Sequence, residues 1–195
     1  FSGYFFLNKR KLTTLSRWWL LCASLFFYGW WNQVYIPLIL GSILFNYVLG
    51  TVLVKRGEKW NAFINKKCFL VLGISGNLSL LGYFKYVDFF LENIATLTQT
   101  SIPLIGVILP IGISFFTFQQ IAYLVDVKNS QSGRYGLVDY ALFVSFFPQL
   151  IAGPIVHHGE MMPQFIQNRS VQAQDLAIGL TIFIAGLFKK VILAD

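Results

Sequence analysis

Residues 18–54 read WWLLCASLFFYGWWNQVYIPLILGSILFNYVLGTVLV and hold no charged side chain in 37 positions. As one helix, at about 1.5 Å per residue, this run would extend roughly 55 Å, well beyond a hydrocarbon core of about 30 Å. A single tilted span cannot absorb that length, so the run must fold back. Asn32-Gln33, flanked by Trp30, Trp31 and Tyr35, is the natural break, because aromatic rings suit the membrane interface and amides suit a turn among headgroups. The reading is one helix from about Leu15 to Trp31 and a second from about Tyr35 to Val54. Lys9, Arg10, Lys11 and Arg17 precede this hairpin; Lys55, Arg56, Lys59, Lys66 and Lys67 follow it, opposed by Glu58. Short basic loops stay in the cytoplasm, and both ends of a two-span hairpin lie on one side, so the two clusters agree.

Composition points the same way. The chain has 195 residues; 56% are hydrophobic, and its 16 glycines raise the apolar share to about 64%, against roughly 45–50% in ordinary globular domains. Charged residues are 12%, about half the usual share. A soluble enzyme, a disordered tail and a nucleic-acid reader are excluded. The net charge of +7 is accounted for by the basic ends of the hairpin, where contact with anionic lipid headgroups follows and no nucleic-acid partner is implied. Cys22 and Cys68 sit in apolar runs and are expected to be buried small hydrophobes. The chain begins at Phe1 inside an apolar segment and stops at Asp195 directly after another, which reads as a piece of a longer membrane protein. No signal-peptide pattern stands at the start.

A third span is expected from Cys68 to about Phe84, followed by an amphipathic stretch in which Lys85, Asp88 and Glu92 share one helix face. Ile102 to Val125 contains Pro103 and Pro110 and cannot be one clean helix, since an internal proline removes a backbone bond. A re-entrant or broken piece to about Leu109 is expected, then a helix starting at Pro110. Ser114, Thr117 and Gln120 make a polar stripe that must face another helix or a wet cavity. Asp126 to Asp139 reads as a polar loop. Tyr140 to Ile155 is broken by Pro148, Gly153 and Pro154, and His157 to Phe165 continues the irregular region. A last helix runs from about Gln174 to Ala194. The fold class is all-α, a polytopic transmembrane helix bundle with broken or re-entrant helices.

Catalytic fingerprints are scarce. The chain has no phosphate-binding loop, dinucleotide fingerprint, HExxH or GxSxG motif, and its residues suggest no metal site. Asn77-Leu78-Ser79 and Asn168-Arg169-Ser170 match the glycosylation sequon, the first inside an expected span. His157 and His158 are adjacent and point apart, so they cannot readily share one metal. They fit either an acid–base role or the anchoring of an irregular loop. The residues alone leave an intramembrane enzyme, a transporter or flippase for an acylated or anionic precursor, and a structural membrane partner all open.

Three stretches carry a resemblance: LPIGISFFTFQQIAYLVDV (109–127), DYALFVSFFPQLIAGPIVHHGEMMPQF (139–165) and GLFKKVILAD (186–195). Together they resemble the membrane-bound O-acyltransferase family, and within it the bacterial alginate O-acetylation branch. WWLLCASLFFYGWW (18–31) and FNYVLG (45–50) fit its amino-terminal region. The resemblance implies a single domain, of which residues 1–195 are the amino-terminal part, with helices ringing a central funnel in a bacterial plasma membrane (the inner membrane of a Gram-negative cell). An acyl group would pass from a thioester donor such as acetyl-CoA, with no bound cofactor, to a polysaccharide hydroxyl or a periplasmic acetyl-transfer partner. The family's catalytic histidine belongs to a later tryptophan-rich segment, expected beyond Asp195, and its role is not carried onto His157 or His158. Gln119, Gln120, Asp126, Gln149, His157 and His158 are the candidates for lining the tunnel.

Overall fold

The computed structural model describes residues 2–59, 66–129, 135–150, 153, 158–166 and 173–194, and among them there is no strand. Helix α1 (Ser2–Lys9) folds back onto α2 (Thr13–Trp31), where the Ser16 hydroxyl donates to Asn8 Oδ1 at 2.7 Å. The fold-back at Asn32 is as the sequence indicates. Asn32 is extended, its Oδ1 accepts the Val34 N–H at 3.0 Å, and one 3₁₀ turn (Gln33–Tyr35) leads into α3 (Ile36–Lys59). The basic ends of α2 and α3 therefore lie on one side of the bundle.

Helix α4 (Lys66–Thr98) is continuous over 33 residues. The expected third span and the amphipathic stretch after Phe84 are one helix, because neither proline nor glycine interrupts residues 83–98. Residues 101–110 are non-helical, and α5 (Ile113–Lys128) begins three residues later than the proline signal placed it. The cause is Gly112, whose φ of +68° breaks the helical path after Pro110.

The expected polar loop is shorter than it reads. Asp126 belongs to α5, and Asp139 to the first turn of α6 (Leu137–Ser145), where a carboxylate complements the helix dipole. Phe146 breaks the chain before the short α7 (Phe147–Leu150). The irregular region expected from His157 also needs correction, since α8 (His158–Ile166) is helical and holds Pro163 in its interior. Helix α9 (Ala173–Phe188) ends in a π-helical turn, Lys189–Ala194.

Helix α5 sits among α3, α4 and α6, and α6 also packs on α2. The core between them holds Tyr28, Ile39, Leu53, Phe116, Leu124, Tyr140 and Phe143. The opposite faces expose Phe26, Leu44, Val71 and Phe89. Among the described residues, two stretches, Gln33–Val54 and α4, are long and apolar enough to cross a membrane. Cys22 and Cys68 are both exposed, against expectation. In a bilayer an apolar side chain is as well placed against lipid as in a core, so apolarity stops predicting burial.

Candidate functional site

Helix α5 carries polar groups on two faces. On one, Gln120 meets α3 and α4. Its Oε1 accepts from the Ser42 hydroxyl at 2.8 Å and, at close range, from Asn46 Nδ2. Asn46 Nδ2 also donates to Asn77 Oδ1 at 3.1 Å, and Asn77 Nδ2 returns a bond to Asn46 Oδ1 at 2.6 Å and one to the Gly73 carbonyl at 2.7 Å. This is an interhelical amide network, the cheapest way to bury such groups in an apolar span. Asn77 is fully committed to it, so the sequon there is closed to modification. Thr117, on the same stripe, is buried without a hydrogen-bond partner for its hydroxyl among the described residues.

The other face runs Gln119, Tyr123, Asp126, at spacings of four and three. It turns toward α6 and α8. Tyr123 stacks on Tyr140 with centroids 4.5 Å apart and meets the His158 ring edge-on at 5.4 Å. His158, 4% exposed, sets Nδ1 3.2 Å from Asp126 Oδ2. Tyr135 and Phe143 complete an aromatic wall around the imidazole, at 6.0 and 6.5 Å, and Tyr47 reaches Tyr140 at 5.9 Å. One turn above Tyr123, Gln119 is 1% exposed, and neither of its amide atoms has a hydrogen-bond partner among the described residues. The Tyr140 hydroxyl is in the same position.

Of the residues singled out in the sequence, the fold therefore joins Asp126 to His158 and aligns Gln119 with them. It turns Gln120 to the amide network instead. Gln149, in α7, is buried beside Gly153, whose N–H donates to the Gln149 carbonyl at 2.9 Å. His157 lies outside the described residues. The tyrosine wall, the Asn46–Asn77 pair and the Arg17–Asp139 ion pair went unread. Asn46 and Asn77 carried a usable signal, each being a lone amide in an apolar run; the tyrosines carried none. Among the described residues, no three His, Cys, Asp or Glu side chains come together to hold a metal.

A helical, membrane-bound protein with a buried His–Asp pair and an unpartnered amide on one helix face is thus defined. Its family is shown by comparison. Residues 1–195 match the membrane-bound O-acyltransferase family, and the chain belongs to it. It is 45% identical to the peptidoglycan O-acetyltransferase of Helicobacter pylori, matching over 100% of this chain and 42% of that one. It is 36% identical to the "Probable alginate O-acetylase AlgI" of Pseudomonas aeruginosa, over 100% of this chain and 37% of that one, and 35% identical to the protein of that name from Azotobacter vinelandii, over 100% and 39%. The chain thus spans about two fifths of the length of these relatives. No solved structure matches it.

Proposed function

We propose that the whole protein is an integral membrane O-acyltransferase that acetylates a cell-envelope polysaccharide, and that the Gln119–Tyr123–Asp126 face of α5, with His158, lines its acyl-transfer path. The family and the names of the relatives support the reaction class. The 45% identity to a peptidoglycan O-acetyltransferase favours a glycan hydroxyl of the envelope as acceptor. In the reaction the acceptor oxygen attacks the carbonyl of a thioester donor such as acetyl-CoA. A C–O bond forms, the C–S bond breaks, and the hydroxyl proton leaves by way of a base. The two basic ends of the α2–α3 hairpin, by the positive-inside rule, face the cytoplasm of a multi-pass plasma-membrane protein, where such a donor is made.

The observation that carries the assignment is Gln119, a buried amide with neither atom paired among the described residues. Leaving such an amide unmet costs several kcal/mol, on the order of 2 to 7, and in this reading a substrate group on the path meets it. The test uses the full-length protein in a strain deleted for the gene. Gln119→Leu should insert and accumulate normally yet lose most glycan O-acetylation, measured as acetate released by base from purified sacculi. Wild-type acetylation in that variant would remove the face from the transfer path.

A further inference from the structure

The non-helical stretch 101–110 (SIPLIGVILP) is pinned at three backbone polar atoms and bare at its large apolar side chains. Asp88, nearly two turns beyond the middle of α4, accepts the Ile105 N–H on Oδ1 at 2.9 Å and the Val107 N–H on Oδ2 at 3.0 Å. Gly106 between them has φ +68°, which lets both N–H groups address one carboxylate. A Cβ there would meet nothing within 4 Å, so the glycine is needed for its backbone angle and not for space. On the other side the Tyr35 hydroxyl, from the turn between α2 and α3, donates to the Ile108 carbonyl. Meanwhile Leu104, Ile105, Ile108 and Leu109 are all exposed.

We infer that residues 101–110 form a strap at the Asn32 end of the bundle that lays its apolar side chains into the lipid at the edge of the leaflet, held in place by Asp88 and Tyr35. Non-helical backbone in hydrocarbon must have its polar groups covered, and a carboxylate and a phenol cover three here, the Ile105 and Val107 N–H and the Ile108 carbonyl, so the backbone itself is set at the interface while its apolar side chains reach into lipid. The strap continues the outward apolar surface of α4, where Phe89, Phe90, Ile94 and Leu97 are exposed, and lies at the end that exposes Trp30, Trp31 and Val34. No charged residue occurs from Asn93 to Val125, so no charge in the strap holds its side chains out of lipid. Both oxygens of Asp88 accept from the strap's backbone. The inference does not depend on the acyl-transfer reading.

The experiment places spin labels on the full-length protein, through Ile105→Cys and Ile108→Cys with the native cysteines replaced, in vesicles of phosphatidylethanolamine and phosphatidylglycerol. Collision with oxygen, which concentrates in lipid, should exceed collision with a nickel chelate in water. Asp88→Ala should lower that ratio several-fold, Asp88→Asn less, because one acceptor oxygen remains, and Glu92→Gln, an exposed acid one turn on, should leave it unchanged. Dominant nickel collisions in the wild-type background would show an aqueous loop, and protection from both reagents would show a protein-covered one. Either result overturns the inference, and neither depends on the Asp88 variants accumulating.

Discussion

Arg17 of α2 holds Asp139 of α6 through Nη1, 2.8 Å from Oδ1 and 3.0 Å from Oδ2, across 122 positions of sequence. The pair ties the basic end of the hairpin to the helix that carries Tyr140. Asp139 is buried while Arg17 remains partly exposed, so the two residues are not equivalent. Arg17→Ala would strand a buried carboxylate, at a cost of about 1–3 kcal/mol. Arg17→Lys should recover part of it. The double variant Arg17→Ala/Asp139→Ala should be less damaged than the sum of the single variants, since no unpaired charge remains. Thermal unfolding in detergent, followed by loss of the monodisperse peak, measures each; strictly additive losses would show that the contact is idle.

Asn46 is the hub of the amide network, donating to Asn77 and Gln120 through Nδ2 and accepting from Asn77 on Oδ1, three bonds between helices. At roughly 0.6 kcal/mol per interhelical hydrogen bond, Asn46→Ala should destabilise the bundle by about 2 kcal/mol. Because this face of α5 turns from Gln119 and Asp126, acetylation per folded molecule should hold near the wild-type value. A variant that folds normally but loses acetylation would transfer the network into the reaction.

The third prediction concerns Gly50. A Cβ at that position would lie 2.6 Å from Tyr123 Cε1 and 2.8 Å from its hydroxyl. The ring cannot yield freely, being stacked on Tyr140 and set against His158. Gly50→Ala should therefore disturb the site at a distance, with acetylation falling more than stability. Gly41→Ala, on the same helix with nothing within 4 Å of the new carbon, is the control and should leave both unchanged. Equal behaviour of the two variants would dissociate Tyr123 from the transfer path.

These relationships were unequally visible beforehand. The turn at Asn32-Gln33 was legible because a charge-free run of that length has one physical solution, and the break in residues 101–110 because proline forbids the helix. Gln120 was legible as a group that must face protein, but not as a partner of Asn46 rather than of a cavity, since both satisfy the same constraint. Asp126 and Asp139 read as loop residues because polarity in an apolar chain suggests an aqueous end. Each is instead paid for by a cation-capable partner far away in sequence, and no periodicity links Asp126 to His158 or Asp139 to Arg17. The exposure of Cys22 and Cys68 marks the general difficulty: with lipid outside and core inside, apolar pattern gives span and turn but not facing.

The Asp126–His158 pair supplies the last prediction. With Nδ1 3.2 Å from Oδ2, the imidazole has its orientation set from α5 while three rings hold its plane, at interplanar angles of 90°, 82° and 77°. If the pair orients one wall of the transfer path, the two residues act as a unit. His158→Ala and Asp126→Ala should each lower acetylation between about tenfold and 100-fold, the scale on which misplacing a site by an ångström acts. The double variant should be no worse than the poorer single one. Asp126→Asn keeps an acceptor oxygen for the Nδ1 proton and should retain more activity than Asp126→Ala. Acetate per glycan, normalised to folded protein in the membrane, is the readout. Losses that multiply would mean two independent roles, and losses that only follow protein level would reduce the pair to an anchor of α8 on α5.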